Sequence, residues 1–89
     1  MNKFIDPFLA NAPFIDLHGE TCDSARFLIN DFINDNIKLK KYKIVIIHGK
    51  GSYILKDFIH EYLKKDKRVD NYYLDINTGQ TIVELKKNG

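Results

Sequence analysis

The chain has 89 residues, 44% of them hydrophobic, and a net charge of +2 at pH 7. This length fits one domain, and no apolar run approaches the roughly 18–20 residues that span a bilayer. The N-terminus lacks the pattern of a secretory signal, and the single cysteine, Cys22, cannot form an internal disulfide. We therefore expect a cytoplasmic protein. Because domains that bind nucleic acid by charge alone usually have a pI above about 9, a nucleic-acid function here would need a local site.

The first half of the chain predicts an arm, a strand and a helix. We expect residues 1–13 to pack on the domain as an N-terminal arm, because burying each of their large apolar side chains contributes ~1.5–3 kcal/mol. Residues 14–18 alternate as a short strand, and they begin the domain proper, residues 14–89. Thr21 suits a helix N-cap, and the helix is predicted to end in the polar residues 34–36. Its apolar stripe consists of Ala25, Leu28, Ile29, Phe32 and Ile33.

The second half predicts a second helix and three more strands. Residues 43–48 are a continuous β-branched run, which is typical of a strand buried on both faces. Ser52 can then cap a helix. Residues 69–76 and 81–86 read as strands separated by a turn at 77–80, and the last strand alternates between apolar and polar positions. The apolar stripe of the second helix consists of Leu55, Phe58, Ile59, Tyr62 and Leu63.

The order βαβαββ predicts an α/β two-layer sandwich with a mixed four-stranded sheet and both helices on one face. Crossovers between parallel strands are right-handed in about 98% of cases, and the final hairpin makes strand four antiparallel to strand three. A sheet order of 1-2-4-3 satisfies both conditions. The first three strands then end at one edge, where the turns at residues 18–19, 48–52 and 77–80 would meet. Ligands in open α/β sheets usually bind at such an edge.

The turn after the second strand is the strongest single feature of the sequence. Its glycines, Gly49 and Gly51, let backbone N–H groups approach an anion closely, and the turn leads directly into a helix N-terminus. Lys50 adds a full positive charge and His48 a titratable one. The residues support a phosphate-binding loop, although the same pattern also fits a tight strand-to-helix turn that binds nothing.

Asp16 and His18 lie two residues apart on the first strand, so their side chains share one face, while Ile15 and Leu17 take the other. A histidine can move protons near neutral pH, and a neighbouring carboxylate can orient its ring and favour its charged form. The pair is therefore a candidate acid–base centre. The alternative interpretation is a structural pair that only fastens the first turn.

Four motifs in order resemble the Smr (small MutS-related) domain family. Ile15–Gly19 is similar to the LDLHG motif that opens these domains, and Ile46–Gly51 to the IIHGKG form of their HGxG loop. Thr21 and Ala25 match the T-x-x-x-A entry to the first helix. Thr81–Leu85 resembles the closing T-x-V-x-L strand. The resemblance covers about residues 14–87 and is closest to the small, separate members of the family.

The resemblance implies a βαβαββ fold similar to the C-terminal domain of translation initiation factor 3. It also implies a nucleic-acid-binding protein with endonuclease activity on DNA or on messenger RNA, in some members at stalled or collided ribosomes. By position, Asp16 and His18 become the catalytic candidates. His48, Gly49 and the two residues after them, Lys50 and Gly51, become the candidates for phosphate contact.

Two departures from the family pattern fall at the predicted site. The family loop commonly continues with Thr-Gly, where this chain has Ser52 and Tyr53, and both of these residues are further candidates for contact with nucleic acid. The loss of that glycine alters the closest backbone approach, while Tyr53 offers a ring on which a base can stack, an interaction of ~1–3 kcal/mol in single-strand binders. The Gly-Gly-x-Gly stretch that usually precedes the last strand is reduced to Gly79.

The predicted function is phosphodiester cleavage of RNA, or of single-stranded or nicked DNA, by acid–base chemistry. Asp16 and His18 could also hold one divalent cation, Mg²⁺ or Mn²⁺, but the sequence has no dense carboxylate cluster of the two-metal kind. The alternative function is a non-catalytic module that uses the same loop to bind nucleic acid or a ribosome. The choice between RNA and DNA, and the oligomeric state, stay open.

Residues outside these motifs are predicted to have structural roles. His60 lies off the apolar stripe of the second helix and is expected at the surface, while Tyr72 and Tyr73 should occupy opposite faces of the third strand, one of them in the core. Two basic groups follow the helices, where cations stabilise helix C-termini by ~0.3–1 kcal/mol, and we expect both to be solvated. The groups are Lys38, Lys40, Lys41 and Lys43, and Lys64, Lys65, Lys67 and Arg68.

Overall fold

Strands and helices follow one another in the predicted βαβαββ order within residues 11–51, 53–76 and 78–87, which the computed structural model describes. Most of the predicted arm, residues 1–10, and the predicted helix cap at Ser52 lie outside the described residues. The elements are β1 (Phe14–Asp16), α1 (Cys22–Lys38), β2 (Lys43–Ile47), α2 (Tyr53–Lys65), β3 (Val69–Leu74) and β4 (Gln80–Leu85).

The sheet has the order β1-β2-β4-β3, which confirms the predicted topology. β1 runs parallel to β2, with Ile15 opposite Ile46. β4 is antiparallel to both of its neighbours and places Thr81 opposite Ile46 on one side and opposite Leu74 on the other. Inserting β4 between β2 and β3 leaves β1 and β3 at the edges of the sheet. In the part of the chain that the structure describes, no helix is long and apolar enough to cross a membrane.

Both helices pack on one face of the sheet and bury a single apolar core, as the predicted two-layer sandwich requires. Alternate residues of the two inner strands point toward the helices. Because a strand has a period of two, this one face collects the even positions of β2 and the odd positions of β4. The core includes Leu17, Ala25, Ile29, Ile33, Ile44, Ile46, Leu55, Ile59, Leu63, Val83 and Leu85.

The opposite face of the sheet has a smaller apolar cluster. Val45 of β2 and Ile82 of β4 are fully buried there, with Ala12 and Ile47 packed against them. Pro13 fixes the segment before β1, since its carbonyl accepts a hydrogen bond from the backbone N–H of Val45 at 2.9 Å. The residues just before β1 therefore lie against the face that carries no helix.

Helix α1 continues past the predicted end at residues 34–36 and reaches Lys38. Asn36 lies on the buried stripe of the helix, and its side-chain amide donates to the carbonyl of Phe32 at 2.9 Å. The buried amide thus has a partner one turn earlier, so a weak helix former does not end the helix. The helix ends where Lys40 takes a left-handed backbone conformation, with φ of 58°. Leu28, which we predicted in the stripe, is exposed.

The final hairpin also differs from the prediction. β3 ends at Leu74, two residues early, and Ile76 is exposed. β4 does not alternate between buried and exposed positions, since five of its six residues are buried. The reason is its inner place in the sheet, because Val83 faces the helices while Ile82 faces the second cluster. The prediction that one of the two tyrosines of β3 lies in the core is confirmed, since Tyr72 packs against the core while Tyr73 is exposed.

Arg68 is a structural residue rather than a member of a solvated basic group. Its guanidinium binds both carboxylate oxygens of Asp66, with Nε–Oδ1 at 2.9 Å and Nη2–Oδ2 at 2.6 Å. It also donates to the side-chain oxygens of Asn30 and Asn34 on α1. The hydrogen bonds from Arg68 lower the pKa of Asp66. The group fastens the end of α2 to α1, and the prediction that Arg68 is solvated was wrong.

Candidate nucleic-acid interface

Three turns meet at the edge of the sheet where β1, β2 and β3 end, as the topology predicted. The loop after β2 contacts the β3–β4 turn, because the backbone N–H groups of His48 and Gly49 both donate to the carbonyl of Gly79 at 2.9 Å. The same loop lies close to the turn after β1, since a Cβ placed on Gly49 would lie 3.4 Å from the Cβ of His18. The loop is therefore held between the other two turns.

The turn after β1 presents Asp16 and His18 on the side of the sheet that carries no helix. The Asp16 carboxylate accepts two hydrogen bonds from His18, one from Nδ1–H at 2.6 Å and one from the backbone N–H at 3.1 Å. Leu17, between them, is fully buried and donates its backbone N–H to Ile47. The buried leucine anchors the turn while both polar side chains stay accessible to solvent.

The hydrogen bond at Nδ1 determines which nitrogen of the neutral His18 ring carries the proton. Because a carboxylate only accepts, Nδ1 carries a proton, and the lone pair of the neutral ring lies on Nε2. Nε2 has no hydrogen-bond partner within the described ranges, and the side chain is 71% exposed. His18 can therefore take a proton at Nε2 from a bound molecule, while the bond to Asp16 holds the orientation of the ring.

The loop after β2 has a fixed beginning and an open tip. Gly49 has φ of 88°, a left-handed conformation that favours glycine, and its N–H is already bonded to Gly79. The next two backbone N–H groups, of Lys50 and Gly51, have no partner among the described residues, and a Cβ on Gly51 would meet only open space. Helix α2 begins at Tyr53, so the partial positive charge of a helix N-terminus reinforces these donors.

His48 is buried and lies behind the loop, not at its surface. Its Nδ1–H donates to the carbonyl of Gly49 at 3.1 Å, so its Nε2 accepts from the Thr81 hydroxyl at 2.9 Å. The same hydroxyl oxygen accepts from Nε2–H of His60 at 2.7 Å. His60 also packs edge-to-face on Tyr72 at 5.3 Å between ring centroids. The prediction that His60 is a surface residue was wrong, because this chain of hydrogen bonds draws it inward.

Both histidines of this network are held neutral. Burial lowers the pKa of His48, the carbonyl of Gly49 partly offsets this, and the charge of Lys56 lowers the pKa further. Burial also lowers the pKa of His60. The repulsion between the charged forms of His60 and His48 and the charge of Lys56 lower it further, while Asp57 opposes the shift. Since both rings favour their neutral forms, His48 supports the loop instead of supplying positive charge to a phosphate.

A cavity of about 210 Å³ opens beside the loop on the side that carries α2. Asp16 and His18 are not part of its lining, so the candidate site is two adjoining surfaces separated by Gly49 rather than a single pocket. Sequence reasoning missed Lys56, whose spacing of three residues from Tyr53 would place both on one helix face. The cavity is lined by Gly49, Lys50, Tyr53, Lys56, Leu74 and Thr78.

No metal centre is assembled by the side chains between residues 11 and 87 that the structure describes. These residues bring together no group of three or more His, Cys, Asp or Glu side chains that could hold a metal ion. Asp16 and His18 provide two donors next to each other. A divalent cation at this pair would need further oxygens from water or from a bound phosphate.

The fold and this edge define a class of small α/β domain, in which an Asp–His pair adjoins a basic glycine loop at the start of a helix. The sequence model of the Smr domain matches residues 15–86, and the chain belongs to the Smr domain family.

Relatives and solved structures agree with this membership. Endonuclease MutS2 of Finegoldia magna (strain ATCC 29328 / DSM 20472 / WAL 2508) is 38% identical over 76 residues, and that of Geobacillus sp. (strain WCH70) is 37% identical over 76 residues. Each match covers 81% of this chain and 10% of the relative, so the chain spans about a tenth of the length of these relatives. The Smr domain of Thermus thermophilus MutS2 superposes with a TM-score of 0.80 at 28% identity, covering 84% of this chain and 99% of that one. YdaL of Escherichia coli, a stand-alone small MutS-related protein, shares the fold with a TM-score of 0.75 at 24% identity, covering 83% of this chain and 64% of that one.

Proposed function

We propose that this chain binds a nucleic acid along the edge formed by the three turns and cleaves a phosphodiester bond beside His18. The observation that carries the proposal is the proximity of an accessible Asp–His pair to a basic glycine loop. The side chains of the pair are bonded at 2.6 Å, and a Cβ added to Gly49 would lie 3.4 Å from the Cβ of His18. A proton-transfer group and a group of phosphate donors thus adjoin each other.

His18 is the proton-transfer residue of this mechanism, and Asp16 orients it. With Nδ1–H donated to Asp16, Nε2 removes a proton from the nucleophile, which is the 2′-hydroxyl in RNA or a water molecule in DNA or RNA. The nucleophile then forms a bond to phosphorus while the bond from phosphorus to the leaving oxygen breaks, and the leaving oxygen takes up a proton. Positioned proton transfer of this kind contributes typically ~10²–10⁴-fold to a rate.

The loop holds the phosphate and stabilises the charge that develops on it. Lys50 is exposed at the tip, next to the two backbone N–H groups that have no protein partner among the described residues. Donors that are fixed in advance stabilise a transition state without further reorganisation. The hydrogen bonds from His48 and Gly49 to Gly79 supply that rigidity, because they hold the base of the loop before a ligand arrives.

The relatives support cleavage as the reaction class. Proteins named endonuclease MutS2 match this chain over 76 residues, and the matched part is the Smr domain. A divalent cation, Mg²⁺ or Mn²⁺, is compatible with the two donors at Asp16 and His18. A comparison of cleavage with Mg²⁺, with Mn²⁺ and with EDTA tests whether the cation contributes.

The test measures cleavage of labelled single-stranded RNA and of supercoiled plasmid, each with Mg²⁺, with Mn²⁺ and with EDTA. We expect His18→Ala to slow cleavage by ~10²–10⁴-fold, and Asp16→Asn to slow it less, because an amide oxygen can still accept from Nδ1–H. Lys67→Ala, at an exposed position on the opposite edge of the sheet, serves as the control and should cleave normally. A normal rate for His18→Ala would exclude this mechanism.

A non-catalytic binding module is the second candidate, and the cavity favours it. The cavity lining includes Lys50 and Lys56 but neither member of the Asp–His pair, so a surface that suits a ligand exists apart from the proton-transfer group. Retarded bands without products under every metal condition would identify this function. The same assay therefore separates the two candidates.

A further inference from the structure

The cavity beside the glycine loop is small, and both polar and apolar side chains line it. Its volume is about 210 Å³, below the ~300–1,000 Å³ of sites for drug-sized ligands. Leu74, at the end of β3, supplies an apolar wall, and Thr78 in the following turn supplies a hydroxyl. A ligand group that fills it must be compact, must be apolar on part of its surface and must tolerate polar contacts at its rim.

An aromatic ring and two cations complete the site. Tyr53 is 69% exposed, so its ring is accessible to a ligand. Lys56 places its Nζ 5.5 Å from the centroid of that ring, and Lys50 lines the cavity from the loop. The Lys56 ammonium forms an ion pair with Asp57, with Nζ and Oδ1 3.5 Å apart. Of the two lysines at the cavity, Lys50 is therefore the one with no ion-pair partner among the described residues. A flat heterocycle joined to a phosphate matches this combination, because aromatic rings stack with bases and ammonium groups attract phosphates.

We propose that this cavity is a subsite for one unpaired base of a nucleic-acid strand, with the phosphate of that nucleotide at Lys50. The inference rests on the proposed function and extends it by naming the form of the substrate. A base within a duplex is stacked and paired, and it cannot enter a cavity between a loop and a helix without leaving the stack. The cavity therefore selects single strands, or a nucleotide that has been turned out of a duplex.

The position of Gly49 connects the subsite to the proposed cleavage site. Gly49 lines the cavity, and a Cβ added to Gly49 would lie 3.4 Å from the Cβ of His18. A strand with one base in the cavity therefore carries its phosphate across the open tip of the loop toward the His18 ring. The base in the subsite belongs to a nucleotide next to the bond that is cleaved.

The experiment compares a strand that has bases with one that lacks them. A fluorescein-labelled single strand, its abasic counterpart and its duplex are titrated by fluorescence anisotropy, in RNA and in DNA forms, against the His18→Ala chain so that no probe is cut. Tyr53→Ala in this background should weaken binding of the strand with bases by about 5- to 150-fold and leave binding of the abasic strand unchanged. Tyr53→Phe should bind normally. Tyr73→Ala, which removes a partly exposed tyrosine from the opposite face of the sheet, is the matched control and should also bind normally.

The outcomes separate the subsite from the proposed function. If Tyr53→Ala binds the strand with bases as tightly as its parent, or loses affinity for the abasic strand to the same extent, the base subsite is excluded while cleavage at His18 can still stand. If the parent binds none of the probes, both proposals are excluded. If the Tyr53 effect is present but the unmodified chain cleaves neither RNA nor DNA, the subsite is supported and the cleavage proposal is excluded.

Discussion

Replacing Thr81 with valine tests whether one buried hydroxyl holds the base of the glycine loop. Thr81 is fully buried, and its oxygen links Nε2 of His48 to Nε2 of His60 at 2.9 and 2.7 Å. Valine has nearly the shape of threonine but no hydroxyl, so the change removes two hydrogen bonds while it largely preserves the packing. The effect of the variant therefore reports on the hydrogen bonds themselves.

The expected loss of unfolding free energy in Thr81→Val follows from the different burial of the two histidines. His48 is 0% exposed, so water cannot replace the lost partner of its Nε2, and an unsatisfied buried acceptor costs ~1–3 kcal/mol. His60 is only partly buried, and solvent can satisfy its N–H. We therefore expect Thr81→Val to lower the free energy of unfolding by ~1–3 kcal/mol, with a fall in Tm of ~4–8 °C per kcal/mol for a domain of this size.

Urea unfolding followed by circular dichroism measures this change. Thr78→Val, at an exposed threonine in the β3–β4 turn, is the control and should stay within ~0.5 kcal/mol of the parent chain. The slope of the transition should not change, because both variants expose the same surface on unfolding. A free energy of unfolding for Thr81→Val within ~0.5 kcal/mol of the parent would refute the structural role of the hydroxyl.

Three further predictions concern the network, the loop and the second helix. The pKa values of His48 and His60 lie below 6.5 in the folded chain, so their neutral forms stabilise the fold. This stability is complete above pH 6.5 and is lost as the pH falls from 6.5 toward the lowered pKa values. Urea midpoints that do not change over this pH range would contradict the prediction. Gly51→Ala should keep its Tm but bind single strands about tenfold more weakly, because its Cβ enters the open space of the phosphate site. Gly49→Ala should instead lower the free energy of unfolding by ~1–2 kcal/mol, because alanine is strained at the positive φ of this position. Arg68→Lys should lower the free energy of unfolding by ~1.5–3 kcal/mol, since lysine cannot reproduce the bidentate contact, and unchanged urea unfolding would show that the contact is not structural.

The sheet order could be predicted in part from general rules. Right-handed crossovers and the final hairpin allow β4 to lie either between β2 and β3 or outside β3, and the resemblance to the Smr family favoured the inner position. The period of two then assigns each strand residue to a face. The same period placed Asp16 and His18 together and away from Leu17, which the structure confirms. The assignment of residues to faces required no knowledge of a distant contact.

The parts that sequence reasoning missed depend on contacts between residues far apart in the chain. His60 lies off the apolar stripe of α2, and its place inside the domain follows from a hydrogen bond to a residue 21 positions later. Arg68 reaches Asn34 on α1, at a separation of 34 residues. Asn36 is the local exception, because its partner is a carbonyl one turn earlier, which a propensity scale does not represent.

The hydrogen bonds at the base of the loop also explain how this chain can differ from its family at the tip. His48 and Gly49 are held by Gly79 and Thr81, so the conformation of the base does not depend on the side chains that follow it. Tyr53 stands where the family commonly has glycine, yet it begins α2 as an ordinary helical residue with an exposed ring. A substitution at this position therefore changes what the loop can bind without a change in the fold. Variation at the tip should alter affinity for nucleic acid, while variation at the base should first lower stability.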